Sequence, residues 1–167
     1  MATNTLKQAQ ERWKQLSETI QNMSTVNAAE TKATQIARIE RARKDYAYFV
    51  EYYYPHYCTD RETGKVTQSA KFHIEAAKRI LKTRDLKAVF KWARGHAKST
   101  HMDVMIPMWL MCQKQRQIHV MVLVGKSEDN AKTLLGDIQA ELQYNKRYIH
   151  DFGAQYNAGN WQDGEFV

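Results

Sequence analysis

Leu86-Lys87-Ala88-Val89-Phe90-Lys91-Trp92 is a short, partly alternating run rich in β-forming side chains, and Ala93-Arg94-Gly95-His96-Ala97-Lys98-Ser99-Thr100 comes directly after it as a glycine-containing turn. The pattern predicts a strand, then a loop, then a helix from Ser99 or Thr100 to about Gln113. That helix would carry Met102, Met105, Ile106, Trp109 and Leu110 on its apolar side, with Pro107 kinking or breaking it. A loop between a strand and a helix start is where phosphate is held in many nucleotide-binding proteins. Backbone N–H groups converge on the phosphates, the helix adds its positive dipole end, a Lys reaches the same oxygens, and the next hydroxyl binds Mg²⁺. Lys98 and Ser99 fit the last two roles. Against GxxxxGK[ST], Trp92 stands at the first Gly and Ala97 at the second, so Ala97 fits only where its backbone avoids positive φ or accepts some strain, or Gly95 takes part of the tight bend instead. The bland alternative is a basic turn, capped by Ser or Thr, that binds nothing.

Downstream, Ile118-His119-Val120-Met121-Val122-Leu123-Val124 is nearly all apolar, the signature of a central parallel strand covered on both faces. Gly125-Lys126-Ser127 closes it. Ser127 is a good N-cap, Glu128 and Asp129 suit the first turn of a helix, and Ala131, Leu134, Leu135, Ile138 and Leu142 form its stripe. Glu165-Phe166-Val167 begins a further strand. Strand–helix–strand–helix order predicts right-handed βαβ crossovers. The expected fold class is α/β: a parallel sheet of the P-loop NTPase type with flanking helices, incomplete, preceded by an N-terminal helical arm.

Upstream, Leu6, Ala9, Trp13, Leu16, Ile20 and Met23 recur at spacings of three and four, predicting a helix over residues 5–23. Its seam is short for a coiled coil with a partner, so packing on its own domain is the preferred reading. A second helical run from about Ala28, with Ile36, Ile39, Tyr46, Phe49, Val50 and Tyr53, should stop at Pro55. Thr59 to Lys65 reads as a solvent loop, and a third helix spans Ser69 to Lys82. These boundaries suggest residues 1–58 as helical arm and lead-in, and 59–167 as the N-terminal portion of a P-loop ATPase domain.

Residues 61–101 hold eleven Lys and Arg against three Asp and Glu, so the net charge of +7 is concentrated there. Such a block attracts nucleotide or nucleic-acid phosphate, or serves only as a solvated surface. No run approaches the roughly 18 apolar residues of a membrane span. Cys58 and Cys112 lie far apart with no CxxC, as expected of reduced thiols.

Arg94-Gly95-His96-Ala97-Lys98-Ser99-Thr100 resembles the divergent Walker A of tailed-phage terminase large subunits, in which an Arg precedes the Gly and Ala can stand before the Lys. The similarity extends to Val122-Leu123-Val124-Gly125-Lys126-Ser127-Glu128-Asp129-Asn130-Ala131, to Glu141-Leu142 with Asn145 and Asp151-Phe152-Gly153, and upstream to Phe49–Tyr57 and Phe72-His73. It covers roughly residues 46–167. The resemblance implies an ATP-driven motor that moves double-stranded DNA into a preformed capsid in the host cytoplasm. Its partners would be a portal, a small terminase subunit and, in the whole protein, copies of itself in a ring. ATP and Mg²⁺ would be held by Arg94, Gly95, His96, Ala97, Lys98, Ser99 and Thr100. Lys98 would grip phosphates, Arg94 would sense or stabilise the γ-phosphate, and Ser99 would bind the metal through its hydroxyl. In such families an aromatic residue before the loop stacks on adenine; Tyr52, Tyr53 and Tyr57 are candidates, although tyrosines beside a helix end are more often core.

A Walker B, an apolar strand ending directly in Asp, is missing from this stretch. Glu128 and Asp129 suit helix capping better, and the run before Asp151 is too short. That motif and a nuclease domain would lie beyond Val167, leaving little or no turnover here. The principal rival is a non-enzymatic basic module that binds nucleic acid or a packaging partner, with Trp92 or tyrosines as stacking platforms. Another motor ATPase, such as a helicase, is a second. His56 with Cys58 and His96 with His101 make weak metal pairs, and no GxSxG elbow supports a hydrolase.

Overall fold

Apolar periodicity in the first 23 residues is realised as α1 (Ala2–Met23) in the computed structural model of the chain, which describes residues 2–60, 63–115, 120–156, 161–162 and 165–166. There follow α2 (Lys32–Lys44), α3 (Tyr46–Tyr53), α4 (Pro55–Cys58) and α5 (Lys71–Lys82), then a π-helical turn (Thr100–Met105) continuing into α6 (Ile106–Met111). The last elements are α7 (Glu128–Tyr144), α8 (Lys146–Phe152) and a minimal hairpin of β1 (Trp161–Gln162) with β2 (Glu165–Phe166). The chain divides into two compact units, Met1–Glu30 with Leu123–Val167, and Thr31–Val122. Among the described residues no helix is long and apolar enough to cross a membrane.

The expected parallel sheet is not formed, and the α/β fold class is corrected accordingly. Residues 86–92 and 120–124 show no strand pairing; Ile118 and His119 lie outside the described residues. Pairing among the described residues is confined to the antiparallel hairpin, Trp161 with Phe166 and Gln162 with Glu165, and to an isolated antiparallel bridge between Thr59 and Val66. The reason is contextual. A strand's N–H and C=O groups need a neighbouring strand, and an apolar run becomes a central strand only when both faces are covered. Val89, Val120, Val122 and Val124 are instead 82%, 82%, 77% and 88% exposed. β-propensity describes a fit to a pleated, half-buried surface, and no such surface meets these residues here.

The helices follow local chemistry more closely. The long second run is divided at Asp45, whose backbone is extended and whose carboxylate accepts from the Tyr48 N–H, capping α3. Pro55 ends that run and also opens α4, where its missing N–H is no loss. In the Thr31–Val122 unit the core is aromatic: Tyr46, Phe49, Tyr53, Tyr54 and Trp109 are almost wholly buried. The ends of α2 and α6 satisfy one another. Trp109 Nε1 donates to the Ala42 carbonyl at 2.9 Å, Gln113 Nε2 donates to Arg43 O at 3.2 Å, and Arg43 Nε donates to Cys112 O at 2.7 Å. These are the carbonyls that a helix terminus leaves without partners of its own.

In the other unit α1 packs along α7. Arg12 forms a forked pair with Asp137, at 2.7 and 2.9 Å, while burial pushes the Asp137 carboxyl up against the opposing pull of that guanidinium. Trp13 lies over Gly136 and meets Tyr144 edge-on at 6.3 Å. Ser127 caps α7 by accepting from the Asn130 N–H, with Glu128 and Asp129 in the first turn. A Cβ built on Gly136 would sit 3.6 Å from Trp13, ordinary van der Waals contact. Gly136→Ala should therefore stabilise the chain by about 1 kcal/mol through helix propensity alone. Trp13→Ala should cost about 3 kcal/mol. Urea unfolding followed by circular dichroism measures both.

Candidate functional site

The loop after Trp92 is shaped by its own backbone first. The Ala93 carbonyl accepts from the His96 N–H at 3.3 Å and from His96 Nδ1 at 3.1 Å, which closes a tight turn. Gly95 has φ 84° and Ala97 has φ 49°. Glycine adopts that region without penalty, whereas an alanine is strained by roughly 1–2 kcal/mol. Residues 98 and 99 then take helical backbone, and the His101 N–H donates to the Ala97 carbonyl at 3.0 Å. Arg94, His96, Lys98 and Ser99 are exposed and Thr100 is half-buried. The sequence-predicted residues thus share one loop with two left-handed positions that leads straight into a helix start.

Beyond this start the chain makes a π-helical turn, in which the Ile106 N–H reaches back five residues to the His101 carbonyl. Pro107 explains its position. A proline lacks the N–H for the ordinary bond and its ring collides with the carbonyl four residues earlier, so the wider turn accommodates it. The turn also brings Asp103 back beside the loop. Burial pushes the Asp103 carboxyl up, against the opposing influence of nearby Ser99 and Lys98. Asp103 was not singled out from the sequence, although its spacing of four from Ser99 is the signal that finds it.

Behind the loop lies a cavity of about 440 Å³ bounded by Tyr57, Ser69, Phe72, His73, His96 and Thr100, among other residues. The Ser69 hydroxyl is buried and has no hydrogen-bond partner among the described residues. Of the three candidate tyrosines, Tyr57 borders this cavity, Tyr53 is fully buried, and Tyr52 stacks on Tyr48 at 5.8 Å. The inner wall is a line of rings. Tyr46 Oη and His101 Nδ1 are hydrogen-bonded at 2.8 Å, and the His101 ring stacks on His73 at 3.8 Å. His73 Nε2 meets the His96 carbonyl at 2.9 Å. Burial, with the adjacent His73, lowers His101 to about 4, and burial raises Tyr46, so both are neutral near pH 7. Cys58 and Cys112 are free thiols that burial pushes up to about 11 and about 12.

His96 and His101 do not form a metal site, since His101 is committed to Tyr46 and His73. No group of three or more His, Cys, Asp or Glu suited to a metal occurs among the described residues. Trp92 is no open stacking platform; it packs edge-on against Phe72 at 5.2 Å and His73 at 5.0 Å. By contrast, every described Lys and Arg between residues 61 and 101 is exposed. No protein-family model, curated protein or solved structure matches this chain.

Ala97→Gly should raise stability by about 1 kcal/mol by removing left-handed strain, read as a higher urea midpoint. His101 is neutral in the folded chain down to about pH 4 and in the unfolded chain only above 6.5. Its contribution is therefore complete above 6.5 and is lost as pH falls towards 4, by at most about 1.4 kcal/mol per pH unit. Unfolding midpoints across that window should fall more steeply for the native chain than for His101→Gln.

Proposed function

We propose that this chain is the ATP-binding part of a viral DNA-packaging motor ATPase of the terminase large-subunit kind, which couples ATP hydrolysis to translocation of double-stranded DNA into a capsid. The observation that carries this reading is the loop itself. Left-handed backbone at Gly95 and Ala97 runs directly into a helix start bearing Lys98 and Ser99, beside a cavity of about 440 Å³. The resemblance of residues 94–100 to the terminase Walker A adds the motor and its DNA. The portal, the small terminase subunit, a ring of copies and the host cytoplasm belong to the same proposal.

The residues suit a magnesium nucleotide. Mg²⁺ prefers hard oxygen ligands and keeps several waters, so a single protein hydroxyl with phosphate oxygens is an ordinary donor set. Ser99 is that hydroxyl. Its exposed side chain at the helix start leaves the oxygen lone pairs accessible to a cation. Mg²⁺, when bound, neutralises charge on the phosphates. Lys98 supplies a compact positive charge on the helix side of the loop, and Arg94 supplies a planar fork on the other, suited to two phosphate oxygens. The exposed Lys and Arg described between residues 63 and 101 raise the local concentration of polyphosphate. No carboxylate ending a strand is available among the described residues to orient an attacking water, so binding should far exceed turnover.

The exposed basic block also favours a second reading, a non-enzymatic nucleic-acid module. Titration of a fluorescent ATP analogue with Mg²⁺ separates the two. Saturable, Mg²⁺-dependent binding is expected, weakened at least tenfold in Lys98→Ala, with phosphate release near background. Equal or absent binding in both chains would reject the nucleotide site in favour of the nucleic-acid module.

A further inference from the structure

We propose that His73 is a positioning residue for the phosphate loop, holding the peptide that leads into Ala97 through a hydrogen bond separate from the one that caps α5. The proposal rests on the nucleotide-site reading for its functional consequence, but the contact itself is geometric. His73 is buried, 7% exposed, at the third residue of α5. Its Nδ1 accepts from the Ala70 N–H at 3.1 Å, and its Nε2 lies 2.9 Å from the His96 carbonyl. A carbonyl can only accept, so Nε2 carries the hydrogen, and an acceptor at Nδ1 requires the same tautomer. Both partners therefore select one neutral form of the ring.

The ring has little freedom to turn away. His101 stacks on it at 3.8 Å with planes 21° apart, and Phe72 and Trp92 stand edge-on at 4.2 and 5.0 Å. The carbonyl it holds belongs to the peptide between His96 and Ala97. Rotation of that peptide changes φ of Ala97, the strained position with φ 49° immediately before Lys98. Fixing this carbonyl thus fixes the direction in which the chain enters its helix, and with it the backbone N–H groups of the first turn. Neither the His96 ring nor Gly95 supplies this restraint; the His96 imidazole is turned back on Ala93.

The two bonds of His73 can be separated by substitution. In His73→Asn the side-chain oxygen falls where Nδ1 was and keeps the Ala70 cap, but the chain is too short to reach His96. In His73→Gln the longer amide can accept from the Ala70 N–H, as glutamine commonly does at this helix position, and still donate towards His96. Amide hydrogen exchange across residues 96–101 in the nucleotide-free chain is the primary measurement, with Mg²⁺-dependent binding of the fluorescent ATP analogue as the second. Exchange is expected to accelerate at least tenfold in His73→Asn, with the helical circular dichroism signal retained, and to stay near the native rate in His73→Gln. Affinity should fall about tenfold in the Asn variant and within threefold of native in the Gln variant. Native exchange in His73→Asn, or equal acceleration in both variants, would overturn the proposal. Should the native chain bind no nucleotide while the exchange pattern holds, the nucleotide-site reading fails and the positioning role stands.

Discussion

The indole of Trp109 is the contact on which the Thr31–Val122 unit depends. Its Nε1 satisfies the Ala42 carbonyl at the end of α2, and its ring meets Tyr46 at 5.2 Å. Tyr46 opens α3 and bonds to His101, His101 stacks on His73, and His73 reaches the loop. Each member is buried or nearly so, and a hydrogen bond or a ring contact joins each to the next. Polar groups taken out of water cost several kcal/mol if left unpaired, so breaking any of these bonds is expensive. An aromatic core thereby sets the backbone of an exposed loop at some remove.

The wall behind the loop is neutral while the loop itself is positive. Lys98 and Arg94 face solvent, whereas the His101 imidazole and the Tyr46 phenol behind them carry no charge near neutral pH. A cation in that inner line would add repulsion to Lys98 and strip a bond from the tautomer pattern. Asp103 sits half-buried on the π-helical turn, within the field of Lys98. Charge is therefore sorted by depth, with the solvent-exposed cations outermost.

Helices were legible in the sequence because their signals are local. The seam ending at Met23, the Ser127 cap with Glu128 and Asp129, and the stripe through Ile138 and Leu142 need only neighbours three and four residues away. The strands were not, because a strand is a property of its partners: Val120, Val122 and Val124 have the composition of a sheet core and stand exposed. The division at Asp45 was missed because apolar periodicity runs across it, although an aspartate three residues before Tyr48 is a capping signal. At the candidate site the segment Arg94–Thr100 was legible as one loop, while strain at Ala97 was one of several alternatives the sequence left open and the backbone decided. The link from His73 to the His96 carbonyl was not, since it spans 23 residues and involves a backbone atom. Asp103 fell between these cases, visible in spacing but read only as part of a helix.

The π-helical turn has a bearing on how this segment tolerates change. Each residue of an α-helix advances about 100° around the axis, so a wide turn amounts to one residue inserted into an otherwise regular helix. The face of α6 that buries Met108 and Trp109 and the face that carries Lys98 and Ser99 are set in phase by that insertion. Deleting any one residue from Thr100–Met105 could leave a perfectly good helix, yet it would swing the loop end about 100° around the axis relative to the indole that anchors the other end. Length between residues 99 and 106 is thus as much a part of the site as the identity of its side chains.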